Sequence, residues 1–143
     1  MERFKMPVAV HLLLINDDKI LVIKRINTGY CDNMYSLPAG HVEKGENVRE
    51  AMIRETKEEI NIDVSKNLKV VQVMNRKGTD QDRIDYFFLA KKWSGDINNN
   101  EKNKCALIKW VPIDKLPQNT IPYVKYAIKM YCQKEKFTMF DCV

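Results

Sequence analysis

Residues 40–62 limit most strongly what this chain can fold into, because a glycine-containing loop there runs into a helix with three closely grouped glutamates. Glu55, Glu58 and Glu59 stand three and four positions apart, so on a helix they share one arc of about 100°. Carboxylates this close repel one another, and the negative end of the helix macrodipole disfavours them further. A hard divalent cation such as Mg²⁺ or Mn²⁺ would offset that cost, since these ions prefer oxygen ligands.

The same glutamates could instead belong to a solvated helix face rich in Glu and Lys. The other sides of the helix argue against this alternative. One side carries a stripe suited to a core, formed by Met52, Ile53, Thr56 and Ile60. A third side mixes charges of both signs, with Glu50, Arg54 and Lys57. A solvated face would interleave charges in that way, so the purely acidic side indicates a metal site.

The segment resembles the Nudix box, which has a glycine, a glutamate, an Arg-Glu pair and a Glu-Glu pair at set spacings. The positions that fit are Gly40, Glu46, Arg54, Glu55, Glu58, Glu59 and Ile62. Two positions depart: Thr56 replaces an aliphatic residue, and Asn61 replaces the final glycine. Thr56 keeps a methyl group for the core, and asparagine is the non-glycine residue best suited to the left-handed end of a helix. Neither departure removes a candidate ligand.

The resemblance extends over nearly the whole chain. Residues 35–40 resemble the strand and loop that lead into the box, and Trp110 with residues 114–117 resembles a late strand and turn of the family. It implies an α/β fold, an alpha/beta/alpha sandwich with a mixed sheet, formed as one domain by residues 1–143. The length of 143 residues suits a single domain.

Apolar periodicity and turn signals predict the individual elements. Strands are predicted at 8–15, 20–25, 35–37, 68–75, 84–93 and 107–112. Helices are predicted at 48–60 and at 124–132, the second one after turn signals at Pro117, Asn119 and Pro122. Asn61 is predicted to end the first helix in the left-handed conformation.

The resemblance also implies a reaction, the hydrolysis of a phosphoanhydride bond in a nucleoside diphosphate linked to another group. It implies Mg²⁺ or Mn²⁺ as cofactor. The implied ligands are Glu55, Glu58 and Glu59, a backbone carbonyl at Ala39 or Gly40, and Glu46 one shell further out. Cations held there would act as Lewis acid, source of hydroxide and template.

Arg54 completes the expected catalytic set of Arg54, Glu55, Glu58 and Glu59. We expect its guanidinium to hold glutamates through a bidentate pair; the alternative is a surface pair with Glu50 or Glu58. The expected base is Glu55. The alternative base is Glu101, in the polar segment 94–104, which we expect to be a mobile loop.

Substrate contacts are expected outside the box. Arg25 ends a strand where several nucleotide-acting relatives place a phosphate-binding arginine, although an ordinary strand-end cation fits equally well. Arg76 is the second candidate, with Lys77 and Arg83 beside it, and a solvated hairpin tip is the alternative there.

The two histidines are expected to be structural. His41 lies in the loop beside the acidic helix, and His11 lies in an apolar strand, where a satisfied core histidine is expected.

Composition separates the function classes only in part. A net charge of +5 and a pI near 9.0 suit a polyphosphate substrate steered to an acidic metal site. The leading hypothesis is a pyrophosphohydrolase of free nucleoside triphosphates, unmodified or oxidised. A dinucleoside polyphosphate, a nucleotide sugar or the 5′ end of an RNA is the second kind of substrate. A nucleotide-binding regulator without hydrolysis is the third hypothesis, and the complete acidic cluster argues against it.

Other partners and the location follow from simpler signals. The cysteines at 31, 105, 132 and 142 form no metal-binding pattern and are expected to be free thiols in the cytoplasm. No apolar run approaches the roughly 20 residues that span a bilayer, so no membrane partner is expected. No charge block marks a nucleic-acid tail, which leaves only an RNA 5′ end as a nucleic-acid partner. The oligomeric state stays open, with a homodimer among the options.

Overall fold

A computed structural model describes residues 1–142 of the chain. In chain order its elements are β1 (Val8–Asn16), β2 (Lys19–Arg25), β3 (Tyr35–Ser36), β4 (Ala39–His41), α1 (Val48–Ile60), β5 (Lys69–Lys77), β6 (Arg83–Ala90), β7 (Cys105–Pro112), α2 (Pro122–Cys132) and β8 (Phe137–Asp141). Within these residues the strands form one mixed sheet, with α1 packed against β1 and β4 and α2 against β5 and β8. The expected alpha/beta/alpha fold with a mixed sheet is confirmed.

The central strand β1 separates two cores because successive side chains of a strand point to opposite faces. Val10, Leu12 and Leu14 pack with the buried residues of α1. Leu13 and Ile15 pack with the buried residues of α2. An apolar run of this kind is what a strand covered on both faces requires.

The pairing of β1 also opens the sheet on one side. One edge of β1 pairs in parallel with β6 along its length. The other edge is shared, because β4 pairs with Ala9, Val10 and His11, while β2 pairs only with Ile15 and Asn16. Beyond that hairpin β2 pairs with β3 and β7 instead. Residues of both β1 and β2 therefore line a cleft where the two strands diverge.

The ends of α1 are set by local hydrogen bonds, and its predicted bounds are confirmed. Asn47 and Glu50 form a capping box, in which each side chain accepts a hydrogen bond from the other residue's backbone N–H. Asn61 ends the helix with φ 65° and ψ 24°, so the left-handed end is also confirmed. The buried side chains are Ala51, Met52, Thr56 and Ile60. The predicted stripe is thus confirmed except at Ile53, which is only half-buried.

The elements differ from the prediction in several places, including β5, which runs to Lys77 rather than 75, and β7, which begins at Cys105 rather than 107. The strands β4 and β8 were not predicted, because β4 is only three residues long and β8 depends on its parallel pairing with β5. The strand β6 ends at Ala90 rather than at residue 93. The helix α2 begins at Pro122, since proline is tolerated in the first turn, where its missing N–H has no helical partner.

Candidate active site

Two glutamates of α1 lie directly against β4. The backbone N–H of Ala39 donates to both carboxylate oxygens of Glu59, at 3.2 Å and 3.4 Å. The Glu55 side chain lies over Gly40 so closely that a Cβ atom there would collide with its Cγ, Cδ and Oε1 atoms. Glycine at position 40 therefore leaves the room that the Glu55 carboxylate occupies.

Arg54 lies at the centre of a hydrogen-bonded cluster. Its Nε and Nη2 atoms donate to the two carboxylate oxygens of Glu46, at 3.1 Å and 2.7 Å. Its Nη1 atom donates to Glu55 at 2.9 Å and, more weakly, to Glu58 at 3.3 Å. The Glu46 carboxylate also accepts a bond from the N–H of Glu43. The bidentate pair thus joins Arg54 to Glu46, and the same guanidinium fixes the position of the Glu55 carboxylate.

The electrostatics of the acidic pair are unfavourable without a cation. Burial raises the pKa of Glu59 well above its usual range, and the negative charges of Glu55 and Glu101 add to this. Burial also raises the pKa of Glu55, although Arg54 acts in the opposite direction. By contrast, the hydrogen bonds from Arg54 lower the pKa of Glu46. Arg54 therefore compensates Glu46, whereas at Glu55 the same guanidinium does not outweigh burial and the neighbouring negative charges.

A divalent cation fits the chemistry of Glu55 and Glu59, which offer hard oxygen donors in a partly enclosed position. Glu58 does not join them, because its carboxylate is directed to Arg54 and is 56% exposed. Within residues 1–142, no group of three acidic, histidine or cysteine side chains is arranged to enclose a metal. Two of the three expected glutamate ligands are brought together, and Glu58 would have to change rotamer to reach them.

The segment 94–104, expected to be a mobile loop, is hydrogen-bonded to the end of α1. The N–H groups of Asn98 and Asn100 donate to the carbonyls of Ile60 and Glu59, each at 3.0 Å. These bonds satisfy carbonyls that a helix end otherwise leaves open. They also bring Glu101 close enough to affect the pKa of both Glu55 and Glu59.

The acidic pair forms one end of a cleft of about 600 Å³, a volume typical of small-molecule sites. Arg25 also lines this cleft, as expected of a substrate contact. Its Nε atom donates to the carbonyl of Tyr30 at 2.9 Å, and its Nη2 atom donates to Thr28 Oγ1 at 3.0 Å. The arginine is therefore held in place by the loop between β2 and β3.

Arg76 lines the cleft too. The alternative that it belongs to a solvated hairpin tip is wrong. It lies within β5, is 4% exposed, and makes two hydrogen bonds to Asp85, at 2.8 Å and 3.1 Å. Its guanidinium stacks on the Tyr123 ring, 3.6 Å from the centroid. His11 donates to the same carboxylate through Nε2 at 2.8 Å. Although burial acts to raise it, the bonds from His11 and Arg76 lower the pKa of Asp85 to about 2.

Sequence reasoning missed this His11–Asp85–Arg76 cluster. The available signal was the position of Asp85 within an otherwise apolar strand, which calls for a buried partner.

Of the other cations considered, Arg83 lines the cleft, whereas Lys77 is exposed and does not. His41 lines the cleft as well, and burial lowers its pKa.

Comparison with known proteins assigns the family. The NUDIX domain model matches residues 5–132. The 8-oxo-dGTP diphosphatase of Escherichia coli (strain K12) is 24% identical over 92 residues, which make up 64% of this chain and 70% of that protein. The ADP-ribose pyrophosphatase of Methanocaldococcus jannaschii is 50% identical over 52 residues, but these are only 36% of this chain and 30% of that protein.

Solved structures agree on the fold. The crystal structure of the MutT NUDIX hydrolase from Burkholderia pseudomallei superposes with a TM-score of 0.81 at 24% identity, covering 88% of this chain and 98% of that one. Because the family model covers most of its residues, this chain belongs to the Nudix family and is a Nudix hydrolase. Neither helix within residues 1–142 is long and apolar enough to cross a bilayer. All four cysteines are free thiols.

Proposed function

We propose that this enzyme hydrolyses a phosphoanhydride bond of a nucleoside triphosphate, unmodified or oxidised, with Mg²⁺ or Mn²⁺ as cofactor. The observation that carries the proposal is the arrangement of charge in the cleft. The half-buried acids Glu55 and Glu59 line it together with basic side chains, among them Arg25, Arg76 and Arg83. A polyphosphate needs both, cations for its oxygens and an acidic group to hold metal.

The metal would be held by Glu55, Glu59 and, after a change of rotamer, Glu58, with a backbone carbonyl at Ala39 or Gly40. When bound there, Mg²⁺ supplies charge neutralisation on the phosphate oxygens and lowers the pKa of water.

The residues of the chain perform the remaining tasks. Arg54 keeps the Glu55 carboxylate in place while its own charge is balanced by Glu46. Ala39 fixes Glu59 through its backbone N–H. Glu55 is the proposed base that accepts the proton of the attacking water, and Glu101, which also lines the cleft, is the alternative.

Arg25 and Arg76 are the proposed substrate contacts, in different ways. Arg25 lies at the end of β2, where it would contact phosphate oxygens. Arg76 is committed to Asp85 through Nε and Nη2, so only its Nη1 side, which faces the Tyr30 hydroxyl at 3.4 Å, can contact a ligand.

The relatives support a nucleotide substrate without naming it. The Escherichia coli relative is a diphosphatase of 8-oxo-dGTP, and the Methanocaldococcus relative a pyrophosphatase of ADP-ribose. The second match spans less than a third of that protein, so it carries less weight for the whole reaction.

A screen of phosphate and pyrophosphate release tests the proposal. The panel contains the standard nucleoside triphosphates, 8-oxo-dGTP, dinucleoside polyphosphates, ADP-ribose and other nucleotide sugars, and RNA with a 5′-triphosphate, each with Mg²⁺, Mn²⁺ or a chelator. We expect the highest kcat/KM with one of the triphosphates and no turnover with the chelator. Faster hydrolysis of a dinucleoside polyphosphate, a nucleotide sugar or the RNA 5′-triphosphate would reject the substrate class, and turnover in chelator would reject the metal.

A further inference from the structure

The His11–Asp85–Arg76 cluster has one feature that its packing role does not use. His11 is 2% exposed and lines the cleft. Within residues 1–142, its Nδ1 is the one buried side-chain nitrogen or oxygen atom without a hydrogen-bond partner. Buried polar atoms are nearly always paired, because leaving one unpaired is unfavourable.

The hydrogen bonds around His11 determine what Nδ1 can do. Asp85 receives bonds from both His11 and Arg76 and is therefore an ionised acceptor. The Nε2 atom of His11 must then carry the hydrogen. In the neutral ring Nδ1 consequently holds a lone pair and accepts a hydrogen bond. The ring is fixed in this orientation by stacking on Phe87, with 4.6 Å between centroids.

The surroundings of His11 suit a planar heterocycle better than a phosphate. While the ring is neutral, a phosphate oxygen would bring a lone pair against the lone pair of Nδ1. The cleft is also lined by the exposed ring of Tyr30, an aromatic surface of the kind that stacks on bases, whereas Tyr123 is buried beneath the guanidinium of Arg76. Arg76 adds a second polar group to this wall through Nη1, which donates to the Tyr30 hydroxyl at 3.4 Å. A base edge with an N–H group can donate to His11 Nδ1.

We propose that His11 Nδ1 determines base specificity by accepting a hydrogen bond from an N–H group of the nucleobase. This inference rests on the proposed function, since it requires that the cleft take a nucleotide. His11 would contact the substrate and discriminate among bases without taking part in the bond cleavage.

The test compares the best triphosphate from the screen with an analogue that lacks the N–H donor. The analogue is the purine riboside for adenosine, the 2-pyrimidinone riboside for cytidine, or the N1-methyl derivative for guanosine. The key variant is His11→Gln, whose amide N–H can still donate to Asp85 but which has no nitrogen at the position of Nδ1. His41→Gln is the matched control at the second histidine of the cleft.

We expect the wild type and His41→Gln to prefer the parent nucleotide by about tenfold or more in kcat/KM, because an analogue without the donor leaves Nδ1 unpaired. In His11→Gln the preference should fall below about threefold, through a loss on the parent and little change on the analogue. If His11→Gln discriminates as the wild type does, His11 only supports Asp85 and the inference is wrong. If the 2′-deoxy form of the parent loses the same factor in kcat/KM, the hydrogen-bond donor belongs to the ribose rather than to the base, and the inference is again wrong.

A second measurement needs neither a His11 variant that folds nor turnover. The chain has two histidines, so long-range proton–nitrogen spectra of the wild type resolve both rings, and His41→Gln assigns them. Titration with the monophosphate of the preferred base should move the His11 Nδ1 resonance upfield, as accepting a hydrogen bond does, and the analogue should not. An unmoved resonance would overturn the inference. Failure of the proposed function appears differently, as no release of phosphate from any triphosphate by the wild type.

Discussion

Substitution of Gly40 by alanine tests whether the position of the Glu55 carboxylate sets the activity. The added Cβ would collide with Glu55, whereas ordinary contacts of this kind measure 3.4–4 Å. Restoring such a contact requires the carboxylate to move by about 1 Å or more. A displacement of about 1 Å in a catalytic group can lower turnover by a factor of about 100. We therefore expect Gly40→Ala to reduce kcat by about that factor.

Stability should change little in the same variant. The colliding atoms belong to the flexible end of a side chain, and Gly40 has no positive φ that alanine would resist. Replacing glycine in the extended chain also lowers the entropy of the unfolded state, which favours the fold by about 0.4–1 kcal/mol. The melting temperature should thus stay within about 4 °C of the wild type.

A double-mutant cycle with Glu55→Ala separates this mechanism from a general disturbance of β4. Alanine at position 55 has no atoms left to collide, so Gly40→Ala should lower kcat by less than about threefold in that background. Circular dichroism and thermal melts check folding, and steady-state kinetics on the best triphosphate give kcat. The reasoning is refuted if Gly40→Ala alone keeps near-full turnover, or if its effect is equally large without the Glu55 carboxylate.

Three other predictions concern single residues of the acidic helix and its neighbours. Glu59→Gln should stay folded and lose at least about 100-fold in kcat. Because the pKa of Glu59 is raised, its ionised form destabilises the fold as pH rises above the usual carboxyl range. Metal-free Glu59→Gln should therefore have a higher melting temperature than the wild type, by a margin that grows with pH and shrinks with saturating Mg²⁺. A margin that does not depend on pH would contradict this. Asn61→Gly should leave the free energy of unfolding in urea unchanged or raise it. Asn61→Val should lower that free energy by about 1–2 kcal/mol, because a β-branched residue clashes at φ 65°. Equal stabilities of the two variants would show that the left-handed end does not matter. In pH–rate profiles Glu55→Gln should lose the acidic limb, where the rate rises with pH as the base ionises. A loss of several orders of magnitude in Glu101→Gln with unchanged Mn²⁺ affinity would transfer the role of base to Glu101.

The first helix and its acidic side were predictable because their causes lie within one or two helical turns. The capping box needs only Asn47 and Glu50, which are three positions apart, and the left-handed end needs only Asn61. The angular grouping of the glutamates follows from helix geometry alone. The orientation of Glu58 did not follow, because Arg54 competes for its carboxylate and only the placed side chains show which partner is taken.

The histidine end of the cleft depends on pairings that no local pattern reveals. His11 and Asp85 are 74 positions apart and meet because β1 and β6 pair in parallel. Arg76 reaches Asp85 diagonally, since the register of β5 and β6 places Arg76 opposite Arg83 and Met74 opposite Asp85. A slip of one residue in that register would turn Arg76 to the other face of the sheet. The sequence itself therefore determined the acidic helix that lines the cleft. The His11–Asp85–Arg76 cluster, proposed to contact the base, was decided by the tertiary structure, because strand pairing depends on how the whole core packs.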